Sequence, residues 1–277
     1  MNILYCGDKN IADGVLLSSL SIAKNTTQPL NIYILTASVK TQSKSYEALG
    51  LDFADFLEGA LGEPNKVSLF DITELFNSDL PKANIETRFT PCCMLRLYAD
   101  LLPELPDKIL YLDNDVLCRK DCTDFYEQDI SGWELVGALD YYGKWFFRNR
   151  LFSADYLNSG VLLLNLKKIR ESRLFEKCRE RCKNKKMFMP DQSAINKLAK
   201  SKKILPRRFN EQRKKHDNTV FQHFTTSFRF FPYFHSVSVK PWDSERLHSV
   251  LKIYEYDPLI SEWQRLKSKQ TKKETLV

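Results

Sequence analysis

The chain has 277 residues, of which 43% are hydrophobic and 28% charged, and its 42 Lys and Arg exceed its 35 Asp and Glu to give a net charge of +7. That length and balance suit a soluble globular protein with a sizeable core and exclude a disordered chain. Much of the positive excess sits in "RCKNKK", "KSKK", "RRFNEQRKK" and "QRLKSKQTKK", runs that suit nucleic acid, an anionic membrane or a phosphorylated substrate but most often form solvated faces.

The N-terminal "MNILYCGDKN" lacks the basic and long apolar regions of a secretory signal, and apolar stretches such as "GVLLLNL" stop far short of the about 18 residues of a membrane span. A cytoplasmic protein is expected. The seven cysteines, an odd number, then read as reduced thiols. Cys118 with Cys122, and Cys178 with Cys182, are each four apart, a spacing unlike the C-x2-C of structural zinc sites.

In chain order, "NILYCG" predicts a strand and "DGVLLSSLSIAKN" a helix that stops at Asn25. "LNIYILT" is a second strand, "SKSYEALGLDFADFLEGAL" is helical in parts, and "NKVSLFDI" is a third strand. "PCCMLRLYADLLPEL" predicts a helix that starts at Pro91, a good first helical position, and ends at Pro103 or Pro106. "KILYLDNDVL" follows as a strand. Then come strands in "WELVGALDYY" and "SGVLLLNL", a helix from about Lys167 to Lys183, a second near "DQSAINKLA" and a strand at "TVFQHF". Strands separated by helices imply an α/β fold with a mostly parallel sheet. With no repeat, low-complexity segment or flexible linker, one domain over residues 1–250 and a C-terminal helix and basic tail over 251–277 are expected.

The apolar run Ile109, Leu110, Tyr111 and Leu112 ends in two carboxylates, Asp113 and Asp115. Anions at the end of a buried strand need a cation or a hydrogen-bond network, and the carboxyl ends of strands in an open α/β sheet are where ligands bind. Residues two apart on an extended chain share a side, so both carboxylates can face one hard divalent cation.

"ILYLDNDVL" resembles the D-x-D motif of glycosyltransferase family 8, and the segments "NILYCGDKN", "LRLYADLLP", "LNSGVLLLNLKKIR", "MPDQSAIN" and "VKPW" are similar to that family's in the same order, from Asn2 to Trp242. The resemblance implies a GT-A fold: a Rossmann-like, mostly parallel mixed sheet flanked by helices. It implies a retaining hexosyltransferase that uses Mn2+, or alternatively Mg2+, to move glucose or galactose from UDP-glucose or UDP-galactose to an acceptor hydroxyl. By the same resemblance Asp113, Asp115 and a histidine hold the metal. His223 is favoured for that place, with His235 as the alternative, and Lys240 of "VKPW" reaches the phosphates. Asp8 and Asn10 match positions that recognise uridine, although Asn10 also suits a helix N-cap. Arg96 matches a basic residue that reaches toward the donor, with a surface ion pair as its plain alternative, and Asp140 matches a sugar-contacting acid. Asn158, Ser159 and Gly160 match a segment lining the sugar pocket. Asp191 matches the acid that holds the sugar and Gln192 the amide by its reacting face, while Ser193 departs from a frequent second Asp and leaves one pocket contact open.

Because Gln192 is a poor nucleophile, retention points to departure and attack on one face of the sugar, with Asp191 as the alternative nucleophile. Two other readings compete. A phosphatase of the haloacid dehalogenase type also uses D-x-D, but it predicts Thr or Val where Leu117 stands and a downstream acidic pair that the sequence lacks. A non-catalytic sugar-nucleotide-binding protein is expected to have lost a metal ligand. The acceptor is expected to be a glycan or lipid-linked sugar of the lipopolysaccharide type, with no nucleic-acid role. "YYGKWFFRNRLF", from Tyr141 to Phe152, suits an acceptor loop, and the helical tail from Asp257 suits either packing on the domain or peripheral membrane contact.

Overall fold

Thirteen strands occur among the residues described by the computed structural model, which are 1–87, 89–143, 155–229, 231, 233 and 235–275. They are β1 (Asn2–Gly7), β2 (Asn31–Thr36), β3 (Val39–Lys40), β4 (Ser45–Tyr46), β5 (Lys66–Asp71), β6 (Lys108–Leu112), β7 (Val116–Cys118), β8 (Leu135–Leu139), β9 (Leu157–Asn165), β10 (Lys202–Leu205), β11 (Phe221–His223), β12 (Ser227–Arg229) and β13 (His235–Val237). Seven form one sheet in the order β10-β8-β9-β6-β1-β2-β5. β1 is parallel to both β2 and β6, β2 to β5, and β10 to β8, whereas β9 runs antiparallel to both β6 and β8. One reversed strand therefore sits inside an otherwise parallel sheet. The fold is GT-A.

Both faces of this sheet are buried, which is why its strands read as unbroken apolar runs. Along β6, Leu110 and Leu112 enter one core cluster while Ile109 and Tyr111 enter the other, as the two-residue period of a strand requires. The first cluster is covered by α1 (Ala12–Ala23), α2 (Leu51–Leu61) and the C-terminal helix; the second lies under the turns at Pro91–Leu101 and the helices that follow β9. Asn25 stops α1 by folding its amide back onto the carbonyl of Ser21 at 2.8 Å, and it also reaches the carbonyl of Cys118 at 3.2 Å.

Three local expectations are corrected. Pro91–Leu101 is a 3₁₀ helix, not an α-helix. The helix expected over Lys167 to Lys183 is two, α3 (Leu166–Ser172) and α4 (Leu174–Asn184), because Arg173 turns into the left-handed region at φ 56° and breaks the ladder. The chain through Asp113 and Asp115 is also not extended: the amide of Val116 donates to the carbonyl of Asp113 at 3.1 Å, closing a tight turn. The next helix, α5 (Pro190–Leu198), starts with Pro190 in its first turn, and the chain ends in α6 (Asp257–Thr275).

Candidate active site

The reversed strand decides what meets at the sheet's edge. Six strands deliver their carboxyl ends to one side, and β9, running against them, delivers its beginning there. Asp8 follows β1, Asp113 follows β6 and Asp140 follows β8, while Asn158, Ser159 and Gly160 open β9. Backbone bonds lock these ends together: the amide of Asp113 donates to the carbonyl of Gly160 at 2.8 Å, and that of Asp140 to the carbonyl of Tyr156 at 2.9 Å. This is the edge at which open α/β sheets bind ligands.

A cleft of about 340 Å³ opens over it. The turn after β6 aims Asp113 and Asp115 into this cleft, and pairing of β11 with β7 sets His223 opposite Val116, beside them. His223 Nε2 lies 3.1 Å from Asp115 Oδ1 and 3.5 Å from Asp113 Oδ2. One ligand atom from each of the three falls within 4.8 Å of the others, the arrangement a single cation needs. The ring fits only because position 160 is glycine, since a Cβ there would stand 2.1 Å from His223 Cε1 and 2.7 Å from Asp113 Oδ2. His235 lies elsewhere, on the β12–β13 hairpin, with its Nδ1 2.9 Å from the carbonyl of Tyr233.

Arg96 is not a surface ion pair: it is buried and lines the cleft. Its Nη2 donates to Asp113 Oδ1 at 2.9 Å, its Nη1 to the carbonyl of Ser159 at 2.6 Å, and its Nε lies 3.3 Å from Asp191 Oδ2. Its guanidinium stacks 3.8 Å from the Tyr111 ring, whose hydroxyl donates to Asp113 Oδ1 at 2.6 Å. Burial pushes the Asp191 carboxyl up against the pull of Arg96. Burial also acts upward on Asp115, but the Lys240 ammonium and the His223 imidazole outweigh it and hold that carboxyl below the ordinary range. Lys240 Nζ donates both to Asp115 Oδ2 and to the carbonyl of Phe224. The charged side chains lining the cleft are thus Asp113, Asp115, Asp140 and Asp191 against Arg96 and Lys240, an excess of two negative charges before His223 is counted. A divalent cation cancels that excess.

The far wall is made of amides. Asn158 Nδ2 and Gln192 Nε2 both donate to Asp140 Oδ2, at 2.9 and 3.2 Å, and the amide of Ser159 donates to Gln192 Oε1 at 2.9 Å. Ser193 does not line the cleft, and its hydroxyl lies 3.4 Å from that of Tyr156. Asp8 and Asn10 do not line the cleft, although their neighbours Gly7 and Ile11 do. Asp8, not Asn10, is the cap, its carboxylate accepting the Asn10 amide of the 3₁₀ turn at Lys9–Ile11. Sequence reading missed the walls formed by Cys92, Cys93, Met189 and Gln212, and the half-exposed Phe89 and Phe188, whose rings meet edge to face at 6.1 Å; Tyr142, from the segment read as an acceptor loop, does line the cleft. No spacing marks the missed residues, because Cys92 and Cys93 sit at the start of the 3₁₀ helix Pro91–Leu101 and the others lie outside regular elements. Of the segment Tyr141 to Phe152, only Tyr141, Tyr142 and Gly143 lie within the described residues. The seven cysteines are free thiols, and the cluster of described residues able to hold a metal does not include them.

Comparison with known proteins bears on the fold and the family. A putative glycosyltransferase of Haemophilus influenzae is 26% identical over 220 residues, which cover 76% of this chain; the chain spans 63% of that relative's length. A lipopolysaccharide 1,2-glucosyltransferase of Escherichia coli strain K12 is 27% identical over 285 residues, covering 95% of this chain and 79% of the relative. The crystal structure of the galactosyltransferase LgtC with donor and acceptor sugar analogues superposes with a TM-score of 0.63 at 19% identity, covering 96% of each chain, a likeness of fold. Residues 2–246 match the model of glycosyl transferase family 8, so the chain belongs to that family and is not a haloacid dehalogenase-type phosphatase.

Proposed function

We propose that the protein transfers a hexose, glucose or galactose, from a UDP-sugar to an acceptor hydroxyl with retention, and that Asp113, Asp115 and His223 hold the Mn2+ the reaction uses. The convergence of three hard or borderline donors within 4.8 Å, brought in by two separate sheets, carries this reading. A bound cation supplies charge compensation to the diphosphate as the glycosidic bond breaks. Lys240, now on Asp115, is placed to turn to the same phosphates, and Gly7 and Ile11 form the wall available to uridine. Asp140, Asn158, Ser159 and Gln192 present the polar wall for the sugar.

Retention proceeds through attack on the face the leaving group departs from, with the phosphate oxygen accepting the acceptor's proton. The surroundings of the two candidate nucleophiles support this. Gln192 has its amide oxygen engaged by Ser159, and Asp191 is buried and tied to Arg96. The acceptor is a lipopolysaccharide-type glycan, by analogy with the E. coli relative. The apolar face of α6 is spent on the core through Leu259, Ile260 and Trp263, so membrane contact through this helix falls to its basic side chains. The chain works in the cytoplasm, and no described helix is long and apolar enough to cross a membrane.

Calorimetric titration with UDP, first with Mn2+ and then with EDTA, tests the reading, with UDP-glucose and UDP-galactose run beside it. UDP binding that disappears with the metal is expected, and a preference between the two sugars names the donor. Equal UDP binding with and without metal overturns the metal assignment.

A further inference from the structure

His223 can offer Nε2 to a cation only in one tautomer, with its proton on Nδ1, and a neutral imidazole has no intrinsic reason to choose it. The structure contains a device that makes the choice. His223 Nδ1 lies 3.1 Å from Asn210 Oδ1, Asn210 Nδ2 donates to Asn158 Oδ1 at 2.9 Å, and Asn158 Nδ2 donates to Asp140 Oδ2. Asn210 is fully buried and does not line the cleft, so it touches no substrate.

The direction of every bond in this row is forced. Asp140 accepts the backbone amides of Tyr142 and Gly143 as well as the side-chain amides of Asn158 and Gln192, so its carboxylate acts only as an acceptor here. Asn158 must therefore turn its nitrogen to Asp140. Its oxygen is fixed independently by the backbone amide of Gly160, an obligate donor at 3.0 Å. Asn210 then has no option but to give its nitrogen to Asn158 and its oxygen to the ring. An oxygen facing Nδ1 demands a proton there, which leaves Nε2, the nitrogen that faces Asp113 and Asp115, as the one able to offer a lone pair to a cation.

We propose that Asn210 is a positioning residue that, with Asn158 and Asp140, sets the metal-binding tautomer of His223. The inference rests on the metal assignment above and adds that Asn158, two hydrogen bonds from the ring, governs metal affinity as well as forming part of the proposed sugar wall. Second-shell partners of metal-bound histidines commonly act this way, at about 10- to 100-fold in affinity.

The full-length protein, labelled with 15N-histidine and loaded with 113Cd2+ and UDP, gives the direct test by NMR. Cadmium coupling to Nε2 of His223, with the proton on Nδ1, is expected. Coupling to Nδ1 overturns the relay but leaves the metal site standing, whereas no cadmium binding at all removes both. Titration of Mn2+ in the presence of UDP, without any sugar, gives a second reading. Asn210→Ala should weaken Mn2+ by about 10- to 100-fold, and Asn158→Ala, which removes the acceptor that orients Asn210, should weaken it several-fold. Wild-type Mn2+ affinity in both variants would show that Asn210 is only packing and Asn158 only part of the sugar wall.

Discussion

Arg96 is the cation on which the buried Asp191 and the partly exposed Asp113 both depend, since they share it within a site that already carries excess negative charge. Replacing it leaves both anions uncompensated in a low-dielectric edge. Arg96→Met is expected to cost about 3–5 kcal/mol of unfolding free energy, read by urea denaturation in metal-free buffer. Asp115→Asn makes the opposite kind of change: it removes a donor to the cation from a half-open turn, so turnover should fall by about 10²-fold or more while the circular dichroism spectrum stays unchanged. Gly160→Ala probes the space between these groups. Its Cβ would meet His223 Cε1 at 2.1 Å, so the imidazole must leave its place, and Mn2+-dependent UDP binding should weaken by at least about tenfold. Full binding by this variant would mean that the ring is not where the cation sits.

At the scale of elements, the turn between β6 and β7 is held by what packs behind it. Gly14 of α1 lies so close that a Cβ would stand 2.4 Å from the carbonyl oxygen of Asn114 and 2.8 Å from Trp242. Gly14→Ala is expected to cost about 1–3 kcal/mol as overpacking and to lower Mn2+ affinity, although it touches no ligand. A stability loss with unchanged Mn2+ titration would uncouple the helix from the turn. The long sheet strands and the residue pairs at their ends were legible in the sequence, because burial on both faces writes unbroken apolar runs and the D-x-D carboxylates interrupt one of them. What was not legible depends on distant partners. The 3₁₀ course of Pro91–Leu101 and the left-handed turn at Arg173 leave no periodic mark, and three-residue strands such as β7, β12 and β13 are too short to show one. Asn210 reads as an ordinary loop residue until folding sets it beside His223.

For the molecule as a whole, α6 is part of the core. Leu259, Ile260 and Trp263 are buried in the cluster shared with α1, and Lys24 pairs with Glu262 and Lys267 with Asp13 across the same contact. At about 1.5–3 kcal/mol for each large apolar side chain buried, deleting residues 257–277 should lower the unfolding free energy by about 5 kcal/mol or more, whereas deleting 271–277 should leave the melting temperature unchanged. Equal stability of the two truncations would show that the helix does not hold the domain. The pairing of His223 with Val116 has a consequence in time. These partners stand more than a hundred residues apart in the chain, so the loop between them must be synthesised and closed before the third ligand arrives. A nascent chain that has not yet extended past β11 holds two of the three proposed donors, so tight capture of metal would report that β11 has been made and has closed on β7.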